Sequence, residues 1–276
     1  MSVRIVVRFL LYYKTEGSIK TASPMIETIK NINKTVGRLF VVGTPIGNLE
    51  DITYKAIKIL KEVDIVASED TRKTLILFQK WEIKRPLFTY NKINEEKKAL
   101  KLIESLLKGK NIALVSEAGM PCISDPGERL IKKCIEKQIP FEVVPGPSAV
   151  LQALVLSGFR TTPFYFGGFL PIKSKARKSE WREAATRPYS SVYFESPHRL
   201  LSSLDDACGT IPDCLLCLAK EMTKKFEEVL RGKPKELLAQ LQEIKIKGEF
   251  CIVVDGYGYT KEKAQKLSTD TLNEIT

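Results

Sequence analysis

Three glycine- and proline-rich segments have the residue types of ligand loops: 43–53 (Gly-Thr-Pro-Ile-Gly-Asn-Leu-Glu-Asp-Ile-Thr), 116–127 (Ser-Glu-Ala-Gly-Met-Pro-Cys-Ile-Ser-Asp-Pro-Gly) and 145–149 (Pro-Gly-Pro-Ser-Ala). Glycine lets backbone approach a ligand closely and proline stiffens a turn. Gly43 and Gly47 would permit such an approach, while Ala118 and Gly119, almost without side chains, leave their amide groups available. The first loop is neither G-x-G-x-x-G nor G-x-x-x-x-G-K-[ST], which excludes dinucleotide and P-loop chemistry there. Asp125, just before Pro126, is placed to cap a helix, and Ser148 either caps the helix that follows or meets a ligand.

His198 is the only histidine, so any site needing two imidazole ligands is excluded, and no set of metal ligands stands out. Six cysteines lack the spacing of a disulfide framework and fit a reducing cytoplasm. Cys214 and Cys217 match C-x-x-C, yet they sit in an apolar run without a second pair and read as core thiols. Residues 171–190 hold six basic and two acidic side chains, including the run from Lys173 to Lys178. Such a run is either a solvated helix face or a track for phosphates. Segment 68–74 (Ser-Glu-Asp-Thr-Arg-Lys-Thr) mixes both signs, so it contacts RNA or caps a helix over 71–81 through Asp70.

Loops of this kind need strands to hold them. Leu39–Val42 is a short apolar run ended by Gly43, followed by a helical pattern at Ala56, Ile57, Ile59, Leu60 and Val63. Further strands are predicted at 64–67, 86–89, 111–115 and 141–144, with Leu100, Ile103, Leu106 and Leu107 at helical spacing. The second half repeats the alternation, with strands at 164–166, 190–194, 215–219 and 250–254 and helices near 173–185, 198–208 and 234–243. Alternating strands and helices predict an α/β class with sheets covered on both faces. The expected organisation is a basic extension over 1–37, α/β domains over 38–158 and 159–257 joined near Gly158, and a polar tail over 258–276. A cleft between the two domains is a natural small-molecule site.

The 276 residues are 43% apolar and 28% charged, the balance of a folded chain. Forty-four Lys and Arg against 33 Asp and Glu give a net charge of +11, which points to an anionic partner. Residues 1–38 supply seven basic and two acidic side chains of that total, read as an extension or as an arm that touches RNA. No stretch of about 18 uncharged apolar residues exists, so no membrane span is expected.

Seven segments in order carry a resemblance: 43–49, 68–72, 116–127, 144–149, 168–171 (Gly-Phe-Leu-Pro), 195–200 (Glu-Ser-Pro-His-Arg-Leu) and 221–224 (Glu-Met-Thr-Lys). Together, from about Arg38 to Gly256, they resemble the 16S rRNA ribose 2'-O-methyltransferase I group of the tetrapyrrole methylase superfamily. The resemblance implies a cytoplasmic class III methyltransferase, a homodimer of two-domain α/β chains with S-adenosylmethionine in the interdomain cleft. The implied substrate is a decoding-centre cytidine of 16S rRNA, free or in the small ribosomal subunit. Position by position it implies cofactor contacts at Pro45, Ala118, Gly119, Met120, Ile123, Ser148, Ala149, Glu195 and Met222. Glu117 stands where many relatives have Asp, and Met120 where they have Thr, which favours a backbone contact at 120.

Methyl transfer from a sulfonium to a ribose hydroxyl needs an in-line arrangement and is helped by a base. The candidates are Lys220, Glu221 and Lys224, after the strand at 215–219, with Glu195 and His198 as further possibilities. A lysine beside a sulfonium would have its pKa lowered; Lys220 and Lys224 could equally contact phosphate. RNA contacts are expected at Arg72, Lys173, Lys175, Arg177, Lys178, His198 and Arg199. Two other readings compete: transfer to a tetrapyrrole or protein acceptor on the same fold, and an RNA-binding assembly factor without activity.

Overall fold

Short, mostly apolar runs of three or four residues become the strands of a parallel sheet in the computed structural model, which describes residues 36–242, 246–262 and 265. The expectations for residues 1–35 and for most of the tail past 258 lie outside the described residues. Strands β1 (Leu39–Val42), β2 (Ile65–Ser68), β3 (Leu87–Thr89), β4 (Ile112–Val115) and β5 (Phe141–Val144) assemble in the order β3-β2-β4-β1-β5. Every neighbouring pair is parallel.

Such strands are covered on both faces, and their side chains divide by the twofold period. Leu39, Val41, Ile112 and Leu114 pack with Leu102, Ile103, Leu106 and Leu130. Val42, Val66, Ala113 and Val115 face the other way, onto Ala56, Ile59, Leu60, Leu77 and Phe78. The covering helices are α1 (Tyr54–Glu62), α2 (Thr71–Lys80), α3 (Glu95–Leu107) and α4 (Glu128–Glu136). Asp70 caps α2, its side chain accepting from the Arg72 amide at 2.9 Å. Asp125 does not cap α4: that position belongs to Gly127 (φ 140°), without a side-chain bond, which leaves the Asp125 carboxylate for other work.

A second sheet, β6-β7-β10-β8-β9, is mixed. It contains β6 (Phe164–Phe169), β7 (Ser190–Glu195), β8 (Leu216–Lys220), β9 (Glu228–Gly232) and β10 (Phe250–Val254). Only β6 and β7 are parallel; β10 runs antiparallel to β7 and β8, and β9 to β8. Phe250, Ile252 and Val254 face a core with Trp181, Leu200, Leu204 and Leu237, from α6 (Ser174–Thr186), α7 (Leu200–Cys208) and α8 (Pro234–Gln242). Cys214 is buried in that core, and Cys217 and Cys251 are buried on the opposite face, so the C-x-x-C pair is structural.

That opposite face is covered by α5 (Ala149–Ser157), although the helix directly follows β5 of the first sheet. Val150, Ala153 and Leu154 pack on Val192, Cys217, Ala219 and Val253. Ser148 caps its N-terminus (3.4 Å to the Leu151 amide), and left-handed Gly158 ends it. From β9, the Arg231 guanidinium donates to the carbonyls of Leu156 and of Ser157, the latter at 2.9 Å. Chain order and packing part company at α5.

Candidate functional site

Because the first sheet is wholly parallel, the loops after β1, β2, β4 and β5 emerge at one edge. β5 lies on the far side of β1 from β4, so the 43–48, 116–127 and 145–148 loops flank a single crevice, the usual ligand position in such sheets. In the second sheet Phe250 pairs with both Glu195 and Lys220, bringing the ends of β7 and β8 to the start of β10. The two edges meet around a cleft of about 500 Å³, well within the range of small-molecule sites.

Of the nine predicted cofactor residues, Ala118, Gly119, Met120, Ile123, Ser148, Ala149, Glu195 and Met222 line this cleft. Pro45 is buried and is not among the residues of the wall. Gly119 offers no free amide: its N–H donates to the Thr44 carbonyl at 3.1 Å and its carbonyl accepts the Thr44 N–H at 2.9 Å. Its contribution is space and a φ of +73°, with the nearest atom to a hypothetical Cβ being Ile46 Cγ2 at 3.3 Å.

Gly43 and Gly47 also serve differently than expected. A Cβ on Gly43 would fall 2.7 Å from Gly146 Cα, and one on Gly47 would fall 2.8 Å from the Met222 carbonyl. These glycines let loops approach one another, the second joining the two lobes, where Thr223 Oγ1 accepts the Asn48 amide at 2.9 Å.

Lys220, Glu221 and Lys224, the leading base candidates, stand outside the cleft wall. Lys220 pairs with Glu228 at 3.0 Å, and Lys224 with Glu221 (2.8 Å) and Glu249 (2.9 Å). Burial opposes the Lys224 charge, but its two carboxylate bonds outweigh that and hold its pKa above the lysine range, the reverse of what a base needs. For Glu221, burial is overcome by the Lys224 bond and the Glu249 amide, which keep its carboxyl below the usual value. Lys220→Ala is therefore expected to leave cofactor affinity and methyl transfer within about threefold of the parent, read by calorimetry and label incorporation.

Glu195 is fully buried, and three donors occupy its carboxylate: Arg199 Nη2 (2.5 Å) and the Ser196 amide (2.7 Å) on Oε1, and Ser203 Oγ (2.6 Å) on Oε2. It shapes the wall with its backbone rather than reaching a ligand with its side chain. Arg199, also bonded to the Leu170 carbonyl at 3.1 Å, is thereby removed from the RNA-facing set. Arg177 leaves that set as well. It is 5% exposed, with Nη2 2.6 Å and Nε 2.8 Å from Asp206 Oδ2 and Nη1 on the carbonyls of Pro171 and Ile172. Lys173, Lys175 and His198 are exposed, and Lys178 is half-exposed beside Asp206 at 3.4 Å. Arg72 is exposed on the other lobe, bonded to Asp70 at 2.8 Å.

Five charged cleft residues were not singled out as site residues: Glu69, Lys92, Glu117, Asp125 and Glu249, the last paired with Lys224. Burial, then the charges of Asp125 and Glu117, raise the Glu69 pKa. Burial likewise pushes Asp125 up to about 6, against the pull of Lys92 and a Ser116 hydrogen bond. Their shared signal was position, since Glu69 directly follows β2, Glu117 and Asp125 lie in the loop after β4, and Glu249 directly precedes β10.

Two α/β lobes closed on a cleft at strand ends define the two-lobed methylase class of fold. The tetrapyrrole (corrin/porphyrin) methylase family matches residues 38–238. Ribosomal RNA small subunit methyltransferase I of Thermotoga maritima is 44% identical over 80% of this chain and 99% of its own length. The protein of that name from Bacillus subtilis is 43% identical over 82% of this chain and 77% of its own. The chain belongs to the tetrapyrrole methylase family and, within it, to the ribosomal RNA small subunit methyltransferase I group.

Among solved structures, uroporphyrin-III-C-methyltransferase from Thermus thermophilus aligns with a TM-score of 0.56 at 21% identity, over 82% of this chain and 98% of that one. A diphthine synthase aligns with a TM-score of 0.61 at 14% identity, over 79% and 88%. At those identities the likeness concerns the fold.

The methyl donor of this family is S-adenosylmethionine. The cleft fits it. Small residues at 118, 119 and 149 leave room at the backbone, Phe169 and Phe194 give an apolar surface for a purine, and carboxylates at 69 and 117 suit a sulfonium. Among the described residues no helix is long and apolar enough to cross a membrane.

Proposed function

We propose that this protein methylates the ribose 2'-hydroxyl of a cytidine in 16S rRNA, in the cytoplasm and on free rRNA or the small ribosomal subunit. The observation that carries the reading is the conjunction of the family with a cleft lined by Phe169 and Pro197, close in sequence to the exposed Lys173 and His198, and adjoined by a hollow that Arg72 lines. S-adenosylmethionine supplies an electrophilic methyl group; the chain's part is to seat donor and acceptor in line. Ala118, Gly119, Met120, Ser148, Ala149 and Met222 would hold the donor, Met120 and Met222 through backbone. Positioning alone is worth on the order of 7–11 kcal/mol of barrier in well-oriented reactions.

Lys173, Lys175 and His198 on the second lobe and Arg72 on the first would meet phosphates, with Lys178 in support. Phosphate contacts orient the substrate without reading its sequence. A homodimer is part of the proposal, supported by the exposed apolar side chains Leu151 and Val155 on α5 and Phe141 and Val143 on the edge strand β5.

The test is incubation with methyl-labelled cofactor and small subunits lacking the modification, followed by alkaline hydrolysis. A 2'-O-methyl group blocks cleavage at its own phosphodiester, so label is expected in one alkali-resistant dinucleotide containing cytidine. Label on a base, on protein or on an added porphyrinogen instead would overturn the reading.

A further inference from the structure

We propose that Asp125 is the group that takes the proton from the acceptor hydroxyl during methyl transfer, an assignment that rests on the ribose-methylation reading above. Five carboxylates line the cleft: Glu69, Glu117, Asp125, Glu195 and Glu249. Three are committed to cations. Glu117 bonds Lys73 at 2.5 Å, Glu195 bonds Arg199 and Ser203, and Glu249 bonds Lys224. Glu69 and Asp125 form no ion pair among the described residues, and Glu69 accepts the Glu117 amide. Asp125 remains as the cleft carboxylate held by neither a cation nor a backbone donor.

Its surroundings are built to keep it so. Lys92, the nearest ammonium, donates to the Ser124 carbonyl at 2.6 Å, which anchors its charge beside Asp125 without pairing it. Ser124 is held at φ 69°, and the Gly127 amide is tied to Glu95 Oε1 at 3.0 Å, so the segment bearing Asp125 is fixed at both ends. The groups facing it are Glu69 from the loop after β2, Lys92 from that after β3, and Ser116 and Glu117 from that after β4.

A second hollow, of about 460 Å³, adjoins the cleft and shares Glu69, Lys92 and Glu117 with it. Its other walls include Arg72 and Asn91, whose Oδ1 is buried without a partner. An acceptor nucleotide seated there would meet the shared wall of Glu69, Lys92 and Glu117, the three charged groups that face Asp125 from the cleft side.

The step balances. The 2'-O–H bond breaks, with the proton passing to Asp125, and its electron pair stays on oxygen to form the new O–CH3 bond. The methyl–sulfur bond breaks with its pair going to sulfur, which leaves as a neutral thioether. The Asp125 carboxylic acid then returns its proton to water. A base with a pKa below but near neutrality is ionised at working pH and still basic enough to accept.

The experiment compares the parent, Asp125→Asn and Asp125→Glu on purified small subunits across pH 5–9. General-base catalysis contributes about 10²–10⁴-fold, so D125N is expected to lose at least ~10²-fold in kcat while binding S-adenosylmethionine within about threefold by calorimetry. The parent's kcat/KM is expected to fall tenfold per pH unit below about 6. In D125N that limb should vanish and the rate should climb with hydroxide, while D125E should recover part of the loss. A D125N enzyme with the parent's rate and acidic limb would overturn the proposal. So would a D125N that loses donor binding in proportion to its activity, since Asp125 would then hold the cofactor. Absence of alkali-resistant label from the parent itself would instead overturn the ribose reading.

Discussion

Arg177→Ala is expected to destabilise the protein by about 3–5 kcal/mol, the cost of leaving a buried charge without its partner. For a chain of this size that amounts to a fall in Tm of roughly 10 °C. The side chains of Arg177 and Asp206 are 6% and 8% exposed, and the pair fastens the start of α6 to α7 while filling two carbonyls before α6. Asp206 also accepts from Ser174 at 2.8 Å, so losing the guanidinium slackens a network rather than one bond. The contrasting variant is the double Lys173→Ala/Lys175→Ala, which should leave Tm within about 2 °C because both side chains are solvated. It should instead weaken RNA binding and lower the slope of log K against log salt by about two. Scanning calorimetry and a salt series of filter binding separate the two roles. An R177A protein with unchanged Tm and a reduced salt slope would restore Arg177 to the RNA surface.

Gly146→Val should abolish donor binding, with a loss of at least ~100-fold in affinity by calorimetry, because backbone meets backbone at that point. A Cβ on Gly146 would lie 2.8 Å from both Gly43 Cα and C, and neither atom can rotate away as a side chain could. The loop after β5 must then retreat, carrying Ser148 and Ala149 away from the wall they form with Gly119. Gly158→Ala is the control. Its left-handed φ of +74° costs about 1 kcal/mol for a residue with a side chain, but nothing lies within 4 Å, so binding should persist. Normal affinity in G146V would show that the two loops are free to part without consequence for the donor.

Much of the fold was legible because parallel strands, buried on both faces, write themselves as continuous apolar runs. Ile112–Val115 is such a run, and Phe250–Val254, a central strand with antiparallel neighbours but equally buried on both faces, reads the same way. Capping by Asp70 and Ser148 followed from residue type and place. β9 was missed because Glu228–Gly232 is a short edge strand carrying Glu and Arg, with no apolar period to mark it. The mixed character of the second sheet was equally silent, since strand direction depends on partners far along the chain.

Legibility of the site followed the same divide. Loops at strand ends were found because glycine and proline punctuate them, yet what those glycines approach is a matter of tertiary contact. Arg177 looked like a member of a basic run, but Trp181, Ala184 and Ala185 at helical spacing from it form the buried stripe of α6 and were the signal to read. Lys220 and Lys224 were read as bases or phosphate contacts from their place at the end of β8; Glu228 on β9, Glu221 on their own loop and Glu249 before β10 turn them into fixed cations.

The position of α5 has a consequence for how the molecule can be divided. A cut at Gly158 would sever a helix from the sheet it shields, leaving Val192, Cys217, Ala219 and Val253 of one fragment bare and the greasy stripe of the other with nothing to lean on. Neither piece is thus a self-sufficient folding unit, and gene fragments split there are expected to yield insoluble products unless made together. The polypeptide is in effect cross-laced, one half lending a wall to the other, which ties the geometry of the donor's seat to the integrity of both.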